Sequence, residues 1–444
     1  MDVATTPRSG PSTALLAVTL LLTALNLRGA VSSVGPVLRD LQLDLGMSDS
    51  LAGVLTMLPA IAFGLVGLLT ARIGRRLGTE RALIVALASI GVGLFVRVLV
   101  PGVGLLLVTS LLALIGIAIA NVLVPVAVKS WFPEDVGKMT GWYSMALTFG
   151  VAVPAATTVP IAEAFGGWRV GLGVWALPAL IALLPWALIA RSRRDRRGPG
   201  SPALDGPGSG ASVTAAATAA AARADTVAPP ARIPPIAVHR QLRAWALTVF
   251  FGLQALEAYT TMGWLPAILQ DAGVAPTEAG VMLAVTMGLG APISLIIPRL
   301  AARSPDQRPW VIGLTAMSLA AYVGLIVAPS SAPWVWSVLL GLGLGAFPLV
   351  LVLIGLRAAT AAGTVALSSL VQGVGYLIAA AGPVTIGVLH ERTGGWVLPL
   401  LVLMGLLVPK LIAGLIAAAP GTVDGPGPEP EPDIDQDDDA LWPG

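Results

Sequence analysis

Apolar residues in this chain gather in long runs, not in the alternating or one-faced patterns of a soluble domain. A helix that crosses a hydrocarbon core needs about 20 mostly apolar residues. Runs of that length cover 14–38, 50–71, 82–100, 103–128, 136–160, 168–190, 243–268, 277–299, 309–328, 332–355, 363–389 and 394–418. In lipid every backbone polar group must be satisfied internally, so runs this long read as spanning helices. The pattern predicts an all-α polytopic membrane protein of about twelve spans. Asn26 and Arg28 interrupt the first run, and its length exceeds the apolar core of a signal peptide, so it reads as a retained span.

The polar stretches between the runs set the expected orientation. Lys and Arg favour cytoplasmic segments. With the N-terminus inside, those segments hold Arg72, Arg75, Arg76, Arg81, Lys129, Lys138, Arg299, Arg303, Arg308 and Arg357. The outer ends hold Arg39, Arg97, Arg169 and Arg392. Both termini are therefore expected in the cytoplasm of a plasma (inner) membrane. Residues 198–235 are rich in Ala, Gly, Pro and Ser, a composition that suits a linker and not a packed core. The expected organisation is a cytoplasmic segment 1–13, a six-helix bundle 14–190, a cytoplasmic linker 191–242, a second bundle 243–418 and an acidic tail 419–444.

Composition agrees with this solvent. Charged residues make up 11% of the chain, well below the roughly 25% of soluble domains. Cysteine is absent, which excludes disulfides, thiolate metal sites and a cysteine nucleophile. The two histidines, His239 and His390, lie far apart in sequence. No cofactor or metal is expected. Gly137-Lys138-Met139 lacks the remainder of a phosphate-binding loop, so an ATP-driven pump is disfavoured.

The two sets of six runs repeat. Pro36-Val37-Leu38-Arg39-Asp40 resembles Pro266 through Asp271, and Gly166-Gly167-Trp168 matches Gly394-Gly395-Trp396. Arg72 falls on Arg299, Arg76 on Arg303, and Pro154 on Pro383. Parallel repeats of this kind place a substrate site at their interface near the bilayer midplane.

One segment between the second and third runs, Gly67-Leu68-Leu69-Thr70-Ala71-Arg72-Ile73-Gly74-Arg75-Arg76, reads as a tight glycine-containing loop held at the surface by its arginines. It resembles the signature loop of the major facilitator superfamily, with Ala71 where that motif has aspartate. Leu25-Asn26-Leu27-Arg28, Asn121-Val122-Leu123-Val124-Pro125 through Lys129, Phe132-Pro133, Trp264-Leu265-Pro266 and Pro298-Arg299-Leu300-Ala301 resemble the cyanate/2-nitroimidazole transporter family within it. The resemblance implies a secondary transporter for a small anion or a small neutral heterocycle. It also implies a conformational loop at Gly67, Arg72, Gly74, Arg75 and Arg76, repeated at Arg299 and Arg303.

Two charges stand inside the runs. Arg28 lies about 14 residues into the first, roughly 21 Å along a helix axis. A charge at that depth costs at least ~2.5–3.5 kcal/mol unless paired or wetted. Its expected compensation is a substrate anion, a carboxylate or water. Glu257 lies at a similar depth in the seventh run, and the repeat sets it opposite Leu27. Two roles are expected for it: a carrier of a coupling proton, or a permanent partner of Arg28. Asn26, Asn121, Tyr143, Gln254, Tyr259, Trp264, Gln372 and Tyr376 are further polar positions in the runs, expected to line a small cavity with Arg28.

The expected activity is alternating-access transport of a small solute, coupled to protons. An exporter or exchanger of toxic compounds is the alternative, with a channel or membrane enzyme more distant. The expected partners are the solute, lipid and protons, with no nucleic acid and a monomeric chain.

Overall fold

A computed structural model describes residues 12–196 and 238–423; at 67–76, 136–137, 190–196 and 361–362 it describes the backbone alone. Most of the linker expected at 191–242 and the acidic end of the tail lie outside the described residues. The first half comprises α1 (Thr13–Ser32), α2 (Leu38–Leu45), α3 (Asp49–Leu77), α4 (Thr79–Val96), α5 (Val103–Trp131), α6 (Val136–Phe165), α7 (Trp168–Gly173) and α8 (Ala176–Arg196). The second comprises α9 (Leu242–Asp271), α10 (Pro276–Gly288), α11 (Gly290–Arg303), α12 (Arg308–Val327), α13 (Pro333–Gly343), α14 (Ala346–Leu356), α15 (Ala361–Thr393) and α16 (Val397–Ala418). The pairs α7/α8, α10/α11 and α13/α14 are single spans interrupted by one or two residues, so the helices form two six-span bundles.

Eleven of the spans are long and apolar enough to cross a bilayer by composition. The twelfth is α9, whose hydropathy is lowered by Gln254, Glu257, Tyr259, Thr260 and Thr261. All five are buried, although α9 is a spanning helix. The helix packs against α10, α15 and α16 of its own bundle and against α3 of the other. Its polar side chains therefore meet protein, not lipid, and this is how they are tolerated. The lipid-facing surface is supplied elsewhere by exposed apolar side chains such as Val85, Leu112, Ile296 and Val365.

The internal repeat survives as geometry. Gly166 and Gly394 each end a helix in the left-handed conformation, with φ of 100° and 65°. That conformation suits glycine because it has no Cβ. The tryptophan two residues later then donates to an aspartate: Trp168 Nε1 to Asp44 Oδ2 at 3.1 Å, and Trp396 Nε1 to Asp271 Oδ2 at 2.8 Å. Asp44 is held by this bond and by an ion pair with Arg169.

The bundles meet where α3 packs on α15 and α6 packs on α10. They are latched together at the end that carries the two glycine turns. Arg39 pairs with Asp271 at 2.9 Å, and His390 Nδ1 lies 2.8 Å from Asp49 Oδ2. Ser50 donates to Glu391 through its backbone N–H at 2.8 Å and its hydroxyl at 2.5 Å. The backbones also approach closely there. A Cβ on Gly53 would stand 2.7 Å from the Pro383 carbonyl, and one on Gly387 would stand 2.3 Å from that of Asp49.

The segment read as a loop at Gly67–Arg76 has a helical backbone. α3 continues to Leu77, and the chain turns at Gly78, with φ of 76°. Apolar residues continue the spanning pattern through Leu69 and helix-forming arginines extend it, so the helix outlasts the lipid-length run. The side chains of Arg72, Arg75 and Arg76 lie outside the described residues. Arg299 and Arg303 are exposed near the end of α11.

Candidate functional site

Arg28 stands on α1 about 22 Å from Thr13 along the axis. It is half-buried and has no carboxylate partner among the described residues. Its guanidinium carbon sits 5.6 Å from the centre of the Phe63 ring of α3, a cation–π distance. Phe63 in turn contacts Tyr376 of α15, with ring centres 5.5 Å apart. Tyr376 meets Phe251 edge-on at 5.1 Å and Tyr259 at 6.4 Å, both on α9. The Arg28 charge acts on both Tyr259 and Tyr376. One cation from the first bundle thus faces aromatic rings contributed by both. This can bind an anion through charge and a flat solute through ring faces.

The other sequence-derived candidates divide. Tyr259 and Tyr376 belong to this cluster. Asn121 and Tyr143 are half-buried on α5 and α6. Asn26 is buried and spends its amide on the Leu22 carbonyl at 2.7 Å, one turn back on α1. Gln372 donates to Ser368 Oγ at 2.7 Å. Gln254 is buried and donates to the Leu344 carbonyl at 3.0 Å, in the break between α13 and α14. The same carbonyl accepts from the Phe347 N–H at 3.2 Å, so Gln254 braces the break from α9. Trp264 donates to the Pro383 carbonyl at 3.0 Å and packs on Trp396 at 5.6 Å. It therefore braces the latched end and presents no free ring face there.

The expected meeting of Glu257 with Arg28 does not occur. Glu257 pairs instead with Lys410 of α16, at 2.5 Å between Oε2 and Nζ. Both side chains are almost wholly buried, 3% and 1% exposed. Tyr322 of α12 lines the same pocket. Matching depths on two helices do not fix which neighbour a side chain faces. Rotation about the axis does, and it turns Glu257 into its own bundle.

Sequence reasoning passed over two cations. Lys410 lies midway through the last apolar run, and the depth argument that singled out Arg28 and Glu257 applies to it equally. Arg97 was assigned to an outer end, yet it is 2% exposed. Its flanks, Phe95-Val96 and Val98-Leu99-Val100, are apolar on both sides, which is the available sign that it does not sit in water.

Two bundles of six spanning helices, related by an internal repeat and facing each other across a polar cluster, define a membrane transporter. The Major Facilitator Superfamily model matches residues 20–383. The chain belongs to this superfamily and is a multi-pass membrane transport protein, not an enzyme. It is 33% identical to the 2-nitroimidazole transporter of Escherichia coli (strain K12), over 94% of this chain and 98% of that one. It is 30% identical to the cyanate transport protein CynX of the same organism, over 88% and 95%. An uncharacterised Bacillus subtilis (strain 168) transporter, YycB, is 32% identical over 89% and 91%. Among solved structures, the nucleoside transporter NupG superposes with a TM-score of 0.69 over 91% of this chain and 98% of that one, at 14% identity. A bacterial homologue of the lysosomal transporter Spinster, in an inward-facing state, gives 0.66 over 92% and 96%, at 16% identity. Such identities carry the fold alone.

Proposed function

We propose that the chain is a proton-coupled secondary transporter of a small anion of the cyanate type, working by alternating access. The observation that carries this reading is Arg28: a half-buried guanidinium near mid-bilayer, without a carboxylate partner among the described residues, facing rings from both bundles. A cation so placed is compensated by the anion it carries. Tyr259 and Tyr376 supply the surrounding contacts, with Asn26, Asn121, Tyr143, Gln254, Trp264 and Gln372 positioning helices around them. The latched end is assigned to the outer face, with both termini cytoplasmic, from the excess of Lys and Arg at the opposite end. The names of the cyanate and 2-nitroimidazole relatives support a small solute.

Coupling is assigned to Glu257, whose partner is Lys410. The pair joins α9 to α16 inside the second bundle, so a rearrangement of these helices acts on it directly. If Glu257→Gln kept transport and its response to a pH gradient, the pair would have no part in coupling.

The test is lumenal pH in proteoliposomes with a trapped dye, after addition of cyanate. Protein-dependent acidification that is lost in Arg28→Ala supports the reading. A second reading, transport of a neutral heterocycle, is favoured by the ring faces of Phe63, Tyr259 and Tyr376. Uptake of 2-nitroimidazole with no anion-dependent pH change would replace the first reading with the second.

A further inference from the structure

Arg97 has no place in the scheme above, yet its surroundings are those of a binding site. It follows the last turn of α4 and is 2% exposed. Its guanidinium makes one hydrogen bond, from Nη1 to the Ala30 carbonyl of α1 at 3.3 Å. Nε and Nη2 are buried and have no partner. No carboxylate pairs with it among the described residues. Leaving a buried charged donor unsatisfied is costly, and the complement it lacks is an acceptor with negative charge.

Room for one exists beside it. A small cavity is walled by α1, α3, α5 and α9, and Arg97 is its charged lining residue. Ser110, on α5, lines the same cavity; it is 3% exposed and its hydroxyl has no hydrogen bond. The Thr56 hydroxyl is already spent on the carbonyls of Ala52 and Gly53. The remaining wall includes Val34, Leu55, Leu114 and Met262. Tyr259, which faces Arg28, also lines this cavity.

We propose that Arg97 and Ser110 form a second station for a small monovalent anion, separated from Arg28 by Tyr259. One guanidinium and one hydroxyl against apolar walls match a single, weakly hydrated charge. Phosphate and dicarboxylates carry more charge than one cation offsets. As a station on a transport path the proposal rests on the function inferred above; as an anion site it stands on the cavity and its idle donors.

The test uses the purified full-length Arg28→Gln protein, in which the central cation is removed. Thermal unfolding is followed against bromide and cyanate, with sodium gluconate holding ionic strength constant. A ligand that binds only the folded state raises stability saturably. The expected result is a saturable rise in Arg28→Gln that disappears in Arg28→Gln/Arg97→Gln. In Arg28→Gln/Ser110→Ala the midpoint should move about tenfold higher in anion, the loss typical of one hydrogen bond to a charged group. This last variant removes only a hydroxyl, so it serves if loss of Arg97 prevents folding. A flat response in Arg28→Gln, or a rise that persists without Arg97 or with an unmoved midpoint in Ser110→Ala, overturns the proposal. A rise that is present in Arg28→Gln and lost on adding Arg97→Gln, together with normal cyanate uptake by Arg28→Gln, would leave this site standing and remove the central one.

Discussion

Removing Lys410 isolates the energetics of the buried charge pair. In Lys410→Met the Glu257 carboxylate keeps its position between helices and loses its cation. Oε2 has Lys410 as its hydrogen-bond donor, and Oε1 is buried with none. The Tyr322 hydroxyl is a neutral polar group beside it and carries no compensating charge. Breaking one side of such a pair costs about 3–5 kcal/mol, against a total stability of about 5–15 kcal/mol for a typical domain. Replacing both partners with neutral groups of similar shape, as in Glu257→Gln/Lys410→Met, removes the charges together and is expected to come within about 1–2 kcal/mol of the parent. Reversible unfolding of the three proteins in mixed micelles measures this directly. The order of stability should be parent, then double variant, then Lys410→Met, with the single variant lowest. If Lys410→Met were as stable as the double variant, the pair would not be the charge-compensating unit described here.

Three further outcomes follow from the latched end. Gly387→Ala places a methyl 2.3 Å from the Asp49 carbonyl, and relief of such overpacking costs about 1–3 kcal/mol. Because that contact joins the bundles, the cost falls on the latched state. Spin labels on cysteines introduced at the exposed Leu43 and Val397 of this cysteine-free chain should report a longer-distance population in Gly387→Ala. An unchanged distance distribution would contradict it. Arg39→Ala should lower stability by at most about 1 kcal/mol, because its pair with Asp271 is exposed on both sides, 58% and 37%; a chemical unfolding curve checks this. Trp264→Phe keeps an aromatic ring but loses the N–H donor to Pro383 and part of the buried indole, so at least about 1 kcal/mol of stability should go while substrate affinity is retained.

Depth in the membrane was legible from the chain, because residue count times rise per residue fixes it. That is why the helices begin and end within a few residues of the apolar runs, and why Arg28 and Glu257 stood out. The repeat was legible too, down to the Gly-Gly-Trp turns whose tryptophans make equivalent bonds to Asp44 and Asp271. Rotation about each axis was not. A helix surrounded by protein, such as α9, has no lipid-facing stripe to set its orientation, so the sequence could not say that Glu257 turns to Lys410 and not to Arg28. Nor could it show that Gln254 is spent on a broken helix, or that Trp264 is spent on the latch. The glycines at 67 and 74 suggested a loop, but helix-compatible neighbours carry α3 through both, and the turn comes at Gly78.

The most direct test of the central claim is counterflow of labelled cyanate in proteoliposomes preloaded with unlabelled cyanate, for the parent protein beside Arg28→Gln and Arg28→Lys. Exchange needs only binding and the rocking of the two bundles, with no driving gradient. The account predicts rapid accumulation of label by the parent, loss in Arg28→Gln, and partial retention in Arg28→Lys, which keeps the charge and loses the planar fork. Unchanged exchange in Arg28→Gln would contradict it, and the substrate site would have to lie away from the α1, α3, α9 and α15 cluster.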